Sequence, residues 1–146
     1  MNLRKLIRGV ELFGGLSEPE WDEIAGICQE RQYKKGDLLA VEGETGDDLF
    51  IVMEGAVEVL VESEEADPRV VINLGTGQII GEMSLVDRGP RSASVRAINN
   101  PTIVQVIRHD DFHELCKRNN HIGYVVMHNM AADLSFKLRH RHLSDA

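Results

Sequence analysis

Between residues 36 and 89 glycine recurs at positions 36, 43, 46, 55, 75, 77, 81 and 89, and apart from residues 56–74 the runs between these glycines are short. Long helices do not survive such punctuation, whereas short strands joined by tight turns depend on it. Tyr33-Lys34-Lys35-Gly36-Asp37 reads as a turn, residues 38–41 as a strand, 42–47 as a glycine-rich loop and 49–53 as a second strand. Glu54-Gly55 then turns the chain into residues 56–61, where Val57, Val59 and Val61 alternate with Ala56, Glu58 and Leu60. Residues 69–74 form the return strand, Ile79-Ile80 a short one, and 91–98 and 102–107 close the set. The acidic run at 62–68 between the hairpin strands reads as a solvated tip. These signals predict an antiparallel sandwich or roll.

Helical periodicity brackets this region on both sides. Leu3, Leu6, Ile7 and Val10 form one stripe over residues 2–13. Ser17 with Glu20 three positions on and Pro19 in the first turn starts a helix that carries Trp21, Ile24, Ile27 and Cys28. Residues 109–119 place Phe112, Leu115 and Cys116 on one face. A last helix over 120–143 has a stripe of Ile122, Val126, Met127, Met130, Leu134 and Leu138 that must bury against something. The predicted class is α+β and mainly β, in one domain over 1–146: helices at 1–30, the roll at 31–108, helices at 109–146.

Composition narrows the function classes. A chain of 146 residues with 42% hydrophobic and 27% charged residues has the balance of one globular domain. Its formal net charge of −8 argues against nonspecific binding to nucleic acid or an anionic membrane, which both begin with phosphate neutralisation. No apolar run approaches the ~18 residues of a membrane span or the pattern of a signal peptide, so a cytoplasmic location is expected. Cys28 and Cys116 are far apart, which fits reduced, buried thiols and leaves too few ligands for an iron–sulfur cluster.

The chemistry concentrates at residues 81–95, GEMSLVDRGPRSASV. Gly81 permits close backbone approach, and Glu82, Met83 and Ser84 open a single helical turn whose first amides lack intrahelical partners. Gly89-Pro90 sets a turn before Arg91, and the small residues Ser92, Ala93 and Ser94 again leave amides reachable. The loop is shaped for a phosphate. A carboxylate there, Glu82, is repelled by phosphate unless it faces a hydroxyl donor, so a ligand carrying both phosphate and ribose satisfies both charges.

Gly81, Glu82, Leu85, Arg91, Ser92, Ala93 and Val95 match the phosphate-binding cassette of the cyclic nucleotide-binding domain family, which the chain resembles from about Phe13 onward. The order of the glycines resembles the β-roll of that family, an antiparallel double-stranded β-helix of jelly-roll type. The resemblance implies that Arg91 pairs with the cyclic phosphate, assisted by amides of Met83, Ser84, Ser92 and Ala93, while Glu82 accepts from the ribose 2′-hydroxyl. It implies an apolar wall for the base near Val71, and a C-terminal helix that caps the base through Leu134, Lys137, Leu138 or Arg141 and often pairs with its copy in a dimer. The family commonly has Phe just before the cassette glycine; Ile79 and Ile80 stand here instead.

Ser92 can bond phosphate or, as Thr does in relatives, help a guanine, so cAMP is the first expected ligand and cGMP the second. No helix-turn-helix, kinase or channel follows the last helix, so the expectation is a stand-alone regulatory sensor acting on a separate effector. Two rivals remain: a nucleotide-free interaction or dimerisation module with a vestigial pocket, and a phosphohydrolase built on His109 and Asp110. The second lacks a converging nucleophile, base and metal-ligand set, so no catalytic or metal-binding residues are expected.

Overall fold

The computed structural model describes residues 1–62 and 69–145, with side chains to residue 141; the acidic tip expected at 62–68 lies, apart from Glu62, outside the described residues. At the N-terminus, α1 (Leu3–Arg8) is capped by the Asn2 side chain, which accepts from the Lys5 amide at 2.8 Å. The stripe over 2–13 is not one helix. Gly9 ends α1, and Glu11–Phe13 makes a separate 3-10 turn. α2 (Glu18–Gly26) has the full capping box expected of Ser17 and Glu20.

Eight strands follow: β1 (Cys28–Tyr33), β2 (Leu38–Ala40), β3 (Asp48–Glu54), β4 (Val57–Val61), β5 (Arg69–Leu74), β6 (Ile79–Ile80), β7 (Ser94–Ala97) and β8 (Thr102–Arg108). They form two four-stranded antiparallel sheets of order β1-β8-β3-β6 and β2-β7-β4-β5. Two helices close the chain, α3 (His109–Arg118) and α4 (Asn120–Asp145). This is the β-roll flanked by helices that the sequence predicts.

Two departures trace to strand pairing. Cys28 opens β1 rather than ending α2, and β1 is a polar run, CQERQY, paired with β8 from Cys28↔Ile107 to Tyr33↔Thr102. Partner strands, not side-chain alternation, make this segment extended. In β4 the expected alternation fails at Leu60, which is buried, because the register against β5 shifts between Val59 and Leu60 and re-aims the following residues.

β3 lies between β8 and β6, and its two faces serve two cores. Leu49 and Ile51 pack among Phe13, Ile24, Phe112 and Ile122 on the helical side. Phe50 meets Val104 and Val106 inside the roll, and Val52 meets Val57 and Val95. Alternation across a strand buried on both sides produces this division. The site therefore hangs on a strand fixed from both faces.

α4 buries Ile122, Val126 and Met130, and Asn129 donates to the carbonyls of Leu12 and Gly14 at 2.9 and 2.8 Å. The predicted stripe ends there: Leu134 and Leu138 are 46% and 55% exposed, and every described side chain after Met130 is exposed. Cys28 and Cys116 are free but only partly buried, and burial pushes the Cys28 thiol up to about 12. Such a thiol stays protonated and unreactive near neutrality.

The junction of α2 with α4 centres on Glu20, only 8% exposed. Its carboxylate accepts from the Ser17 amide at 3.0 Å, the Ser17 hydroxyl at 3.1 Å and Asn119 at 3.1 Å, and meets His121 Nδ1 at 2.8 Å. Burial pushes this carboxyl up, but the bonds from the Ser17 amide, His121, the Ser17 hydroxyl and Asn119 outweigh it and hold it at about 2, against an ordinary 4.5. A depressed carboxyl stabilises the fold above its unfolded value and loses that contribution as pH falls through its folded value. Urea unfolding is expected to show a loss on the order of 2–3 kcal/mol between pH 4.5 and about 2, much reduced in Glu20→Gln. Equal acid sensitivity in the two proteins would remove Glu20 from this role.

Candidate ligand-binding site

The chain after β6 turns on Gly81, whose φ of 81° lies in the left-handed region that favours glycine. Glu82–Leu85 then forms one 3-10 turn, the single helical turn expected of Glu82, Met83 and Ser84. A Cβ at Gly81 would overlap the Arg91 guanidinium and crowd the Asp48 carbonyl, so the glycine is required by space as well as by φ.

Arg91 is held from beneath. Its Nη2 donates to the Asp48 carbonyl at 2.9 Å and its Nη1 to the Ser84 hydroxyl at 3.2 Å, and its Cζ lies 5.6 Å from the centre of the Phe50 ring. Ser84 is buried, and its hydroxyl lies 2.8 Å from the same Asp48 carbonyl and also contacts the Gly81 carbonyl. The two bonds use only part of a guanidinium with five N–H groups, and they fix its plane. Burial lowers the Arg91 value from its ordinary one, and the nearby carboxylates of Asp48 and Asp47 oppose that change. Arginine remains charged under such shifts.

A neighbouring loop completes the wall. The Gly43 amide donates to the Arg91 carbonyl and the Arg91 amide to the Glu44 carbonyl, both at 2.8 Å, and Thr45 bridges Pro90. Gly46 lies directly against the Arg91 side chain, where a Cβ would overlap Nε and Cζ. A pocket of about 410 Å³ opens here, lined by Gly81, Glu82, Met83, Ser84, Arg91 and Ser92 together with Gly46, Asp87, Gly89 and Pro90. Arg91 is the basic side chain of that lining, set against Glu82 and Asp87.

Six of the residues singled out in the sequence thus share one pocket. Ala93 does not line it, though its amide, like those of Met83 and Ser92, has no backbone acceptor among the described residues. The Ser84 amide is committed to the Gly81 carbonyl at 2.9 Å, so Ser84 contributes through its hydroxyl beneath Arg91. Val71 is 54% exposed on β5, an edge strand.

Lys137 lies apart from that pocket, in a second cleft of about 670 Å³ between α4, residues 9–12 and residues 74–79, which Glu82 also lines. Its ammonium is paired with Asp133 at 2.9 Å; that bond chiefly raises its value, with a weaker contribution from the Glu82 charge. Leu134 and Leu138 line neither space. Gly46, Phe50 and Asp48 were missed as site residues. Gly46 sits in a loop already marked by its glycines, but nothing in the sequence signals that a backbone carbonyl and a core ring far upstream support Arg91.

Residues 30–119 match the sequence model of a family described as "Cyclic nucleotide-binding domain". The chain is 34% identical over 133 residues to the "Cyclic AMP receptor protein" of Thermus thermophilus, covering 91% of this chain and 59% of that protein. It is 32% identical over 112 residues to human "cGMP-dependent protein kinase 2", covering 76% of this chain and 15% of the kinase. It thus spans less than two thirds of the length of either relative. A solved cyclic nucleotide-binding domain from Methylobacillus flagellatus superposes with a TM-score of 0.80 at 28% identity, over 99% of this chain and 82% of that one. With the cassette glycine, the supported arginine and the two-sheet roll in place, the chain belongs to the cyclic nucleotide-binding domain family.

Proposed function

We propose that this chain is a regulatory sensor domain that binds cAMP, with cGMP the second choice, in the Arg91 pocket. The observation that carries the reading is the arginine itself, fixed by Asp48 and Ser84 and lying over the Phe50 ring at the pocket wall. A guanidinium held in place loses little freedom on meeting an anion, which favours affinity. Arg91 takes the cyclic phosphate with help from the free amides of Met83, Ser92 and Ala93, and Glu82 accepts from the ribose hydroxyl. Glu82 lines both cavities, which gives the base a route towards α4 and Lys137. Leu134, Leu138 and Val71 line neither cavity and are proposed to reach the base only when α4 and β5 close on it.

Occupancy is proposed to shift α4, whose exposed outer half can then engage a second copy or a separate effector. Such a shift requires the ligand to bind one helix position better than the other. The proposed location is the cytoplasm; among the described residues no helix is long and apolar enough to cross a membrane. The regulatory family assignment favours binding over catalysis, and no metal or nucleic acid enters the proposal.

Isothermal titration with cAMP and with cGMP tests the reading. Saturable heat is expected with at least one of them, and the tighter one names the base. No heat and no thermal stabilisation with either would transfer the function to the nucleotide-free interaction module.

A further inference from the structure

The cassette is tied to α3 by contacts that the ligand-binding residues do not explain. Leu85 ends the 3-10 turn at Glu82–Leu85, and its carbonyl meets His113 Nε2 at 3.1 Å. A carbonyl only accepts, so Nε2 carries the hydrogen in this contact. Three residues on, Arg88 forms an ion pair with Asp110, and its Nη2 lies 3.2 Å from His109 Nδ1. The rings of His109 and His113 lie against each other with centroids 4.1 Å apart and planes tilted by 32°, so the two contacts form one unit on the first turns of α3.

The same turn reaches the other side of the pocket. The His109 amide donates to the Asp47 carbonyl at 2.8 Å, next to Asp48, whose carbonyl holds Arg91. Below these polar contacts the Leu85 side chain is fully buried in the cluster that contains Phe112 and Leu115. The Arg88–Asp110 pair is exposed, and such pairs contribute little alone. The part-buried His113 bond satisfies a carbonyl at the end of a helical turn, where no intrahelical donor exists, so the larger share falls there.

We infer that His113 is a positioning residue for the cassette: by donating to Leu85 it fixes the 3-10 turn and the following loop against α3, and Arg88 with Asp110 pins the loop's middle. This rests on the proposed cyclic nucleotide reading for its consequence, since the turn carries Glu82 and the loop leads to Arg91. His113 lines neither cavity. It acts on affinity through the loop's geometry.

His113→Leu removes the donor, and His113→Gln keeps one at similar reach. In ligand-free protein, amide hydrogen exchange over residues 85–91 is expected to be about 5–10-fold faster in His113→Leu, with β3 and β8 unchanged, and near wild type in His113→Gln. Titration with cAMP and cGMP is expected to show ~5–10-fold weaker binding for the leucine variant and recovery in the glutamine variant. Wild-type exchange and affinity in His113→Leu would overturn the clamp and leave the ligand reading standing. Equal damage in both variants, spread over the whole chain, would also overturn it by showing that the ring only packs. Wild-type protein that binds neither nucleotide, with the exchange pattern as expected, would sink the ligand reading while supporting the clamp.

Discussion

Arg91→Ala is expected to weaken binding of the preferred cyclic nucleotide by roughly 10²–10⁴-fold, or about 3–5 kcal/mol, because it leaves a partly enclosed phosphate without its cation. The pocket lining offers no second basic side chain among the described residues, and its acids, Glu82 and Asp87, then face the anion uncompensated. Arg91→Lys is expected to recover only part of the loss. An ammonium restores charge but cannot span Asp48, Ser84 and a phosphate with one planar group. Isothermal titration of the three proteins decides it; unchanged affinity in Arg91→Ala would show that the anion sits elsewhere.

Phe50→Ala is expected to cost the fold about 3–5 kcal/mol in urea unfolding, the usual range for truncating a buried ring. Phe50 is 2% exposed and packs with Val104 and Val106 inside the roll. It also lies under Arg91, so the same change removes the surface on which the guanidinium rests. Phe50→Leu separates the two effects: it keeps most of the core volume while removing the aromatic face, whose attraction for a cation is worth about 0.5–2 kcal/mol. Binding that weakens in Phe50→Leu more than stability falls would place the ring in the site. A stability loss alone would confine it to the core.

The roll and the cassette were legible because their signals are local. Gly81 at a positive φ, the helical turn after it and the Arg91 that follows are written within one short stretch. Ser17 and Glu20 announced their helix in the same way, through a capping box four residues long. What escaped depends on distant partners. β1 has no apolar alternation and is extended because β8 pairs with it. Leu60 is buried because of a register shift that residue types do not encode. The support beneath Arg91 comes from a carbonyl at Asp48 and a ring at Phe50, both read from sequence only as parts of a strand. On α4 the apolar spacing continues past Met130 without a partner, since periodicity reports which residues share a face and not what that face meets.

That division of α4 has a mechanical consequence. The helix is clamped at one end by Ile122, Val126, Met130 and the Asn129 bonds, and continues as helix to Asp145 with every described side chain after Met130 exposed. At 1.5 Å per residue the free part is a rod about 22 Å long, so a tilt of about 10° at its root swings the tip by roughly 4 Å. Under the proposed coupling of the pocket to α4, a small displacement at the root grows in proportion to the distance from Met130 along the helix. Shortening the rod would reduce the stroke while leaving the pocket and its root untouched.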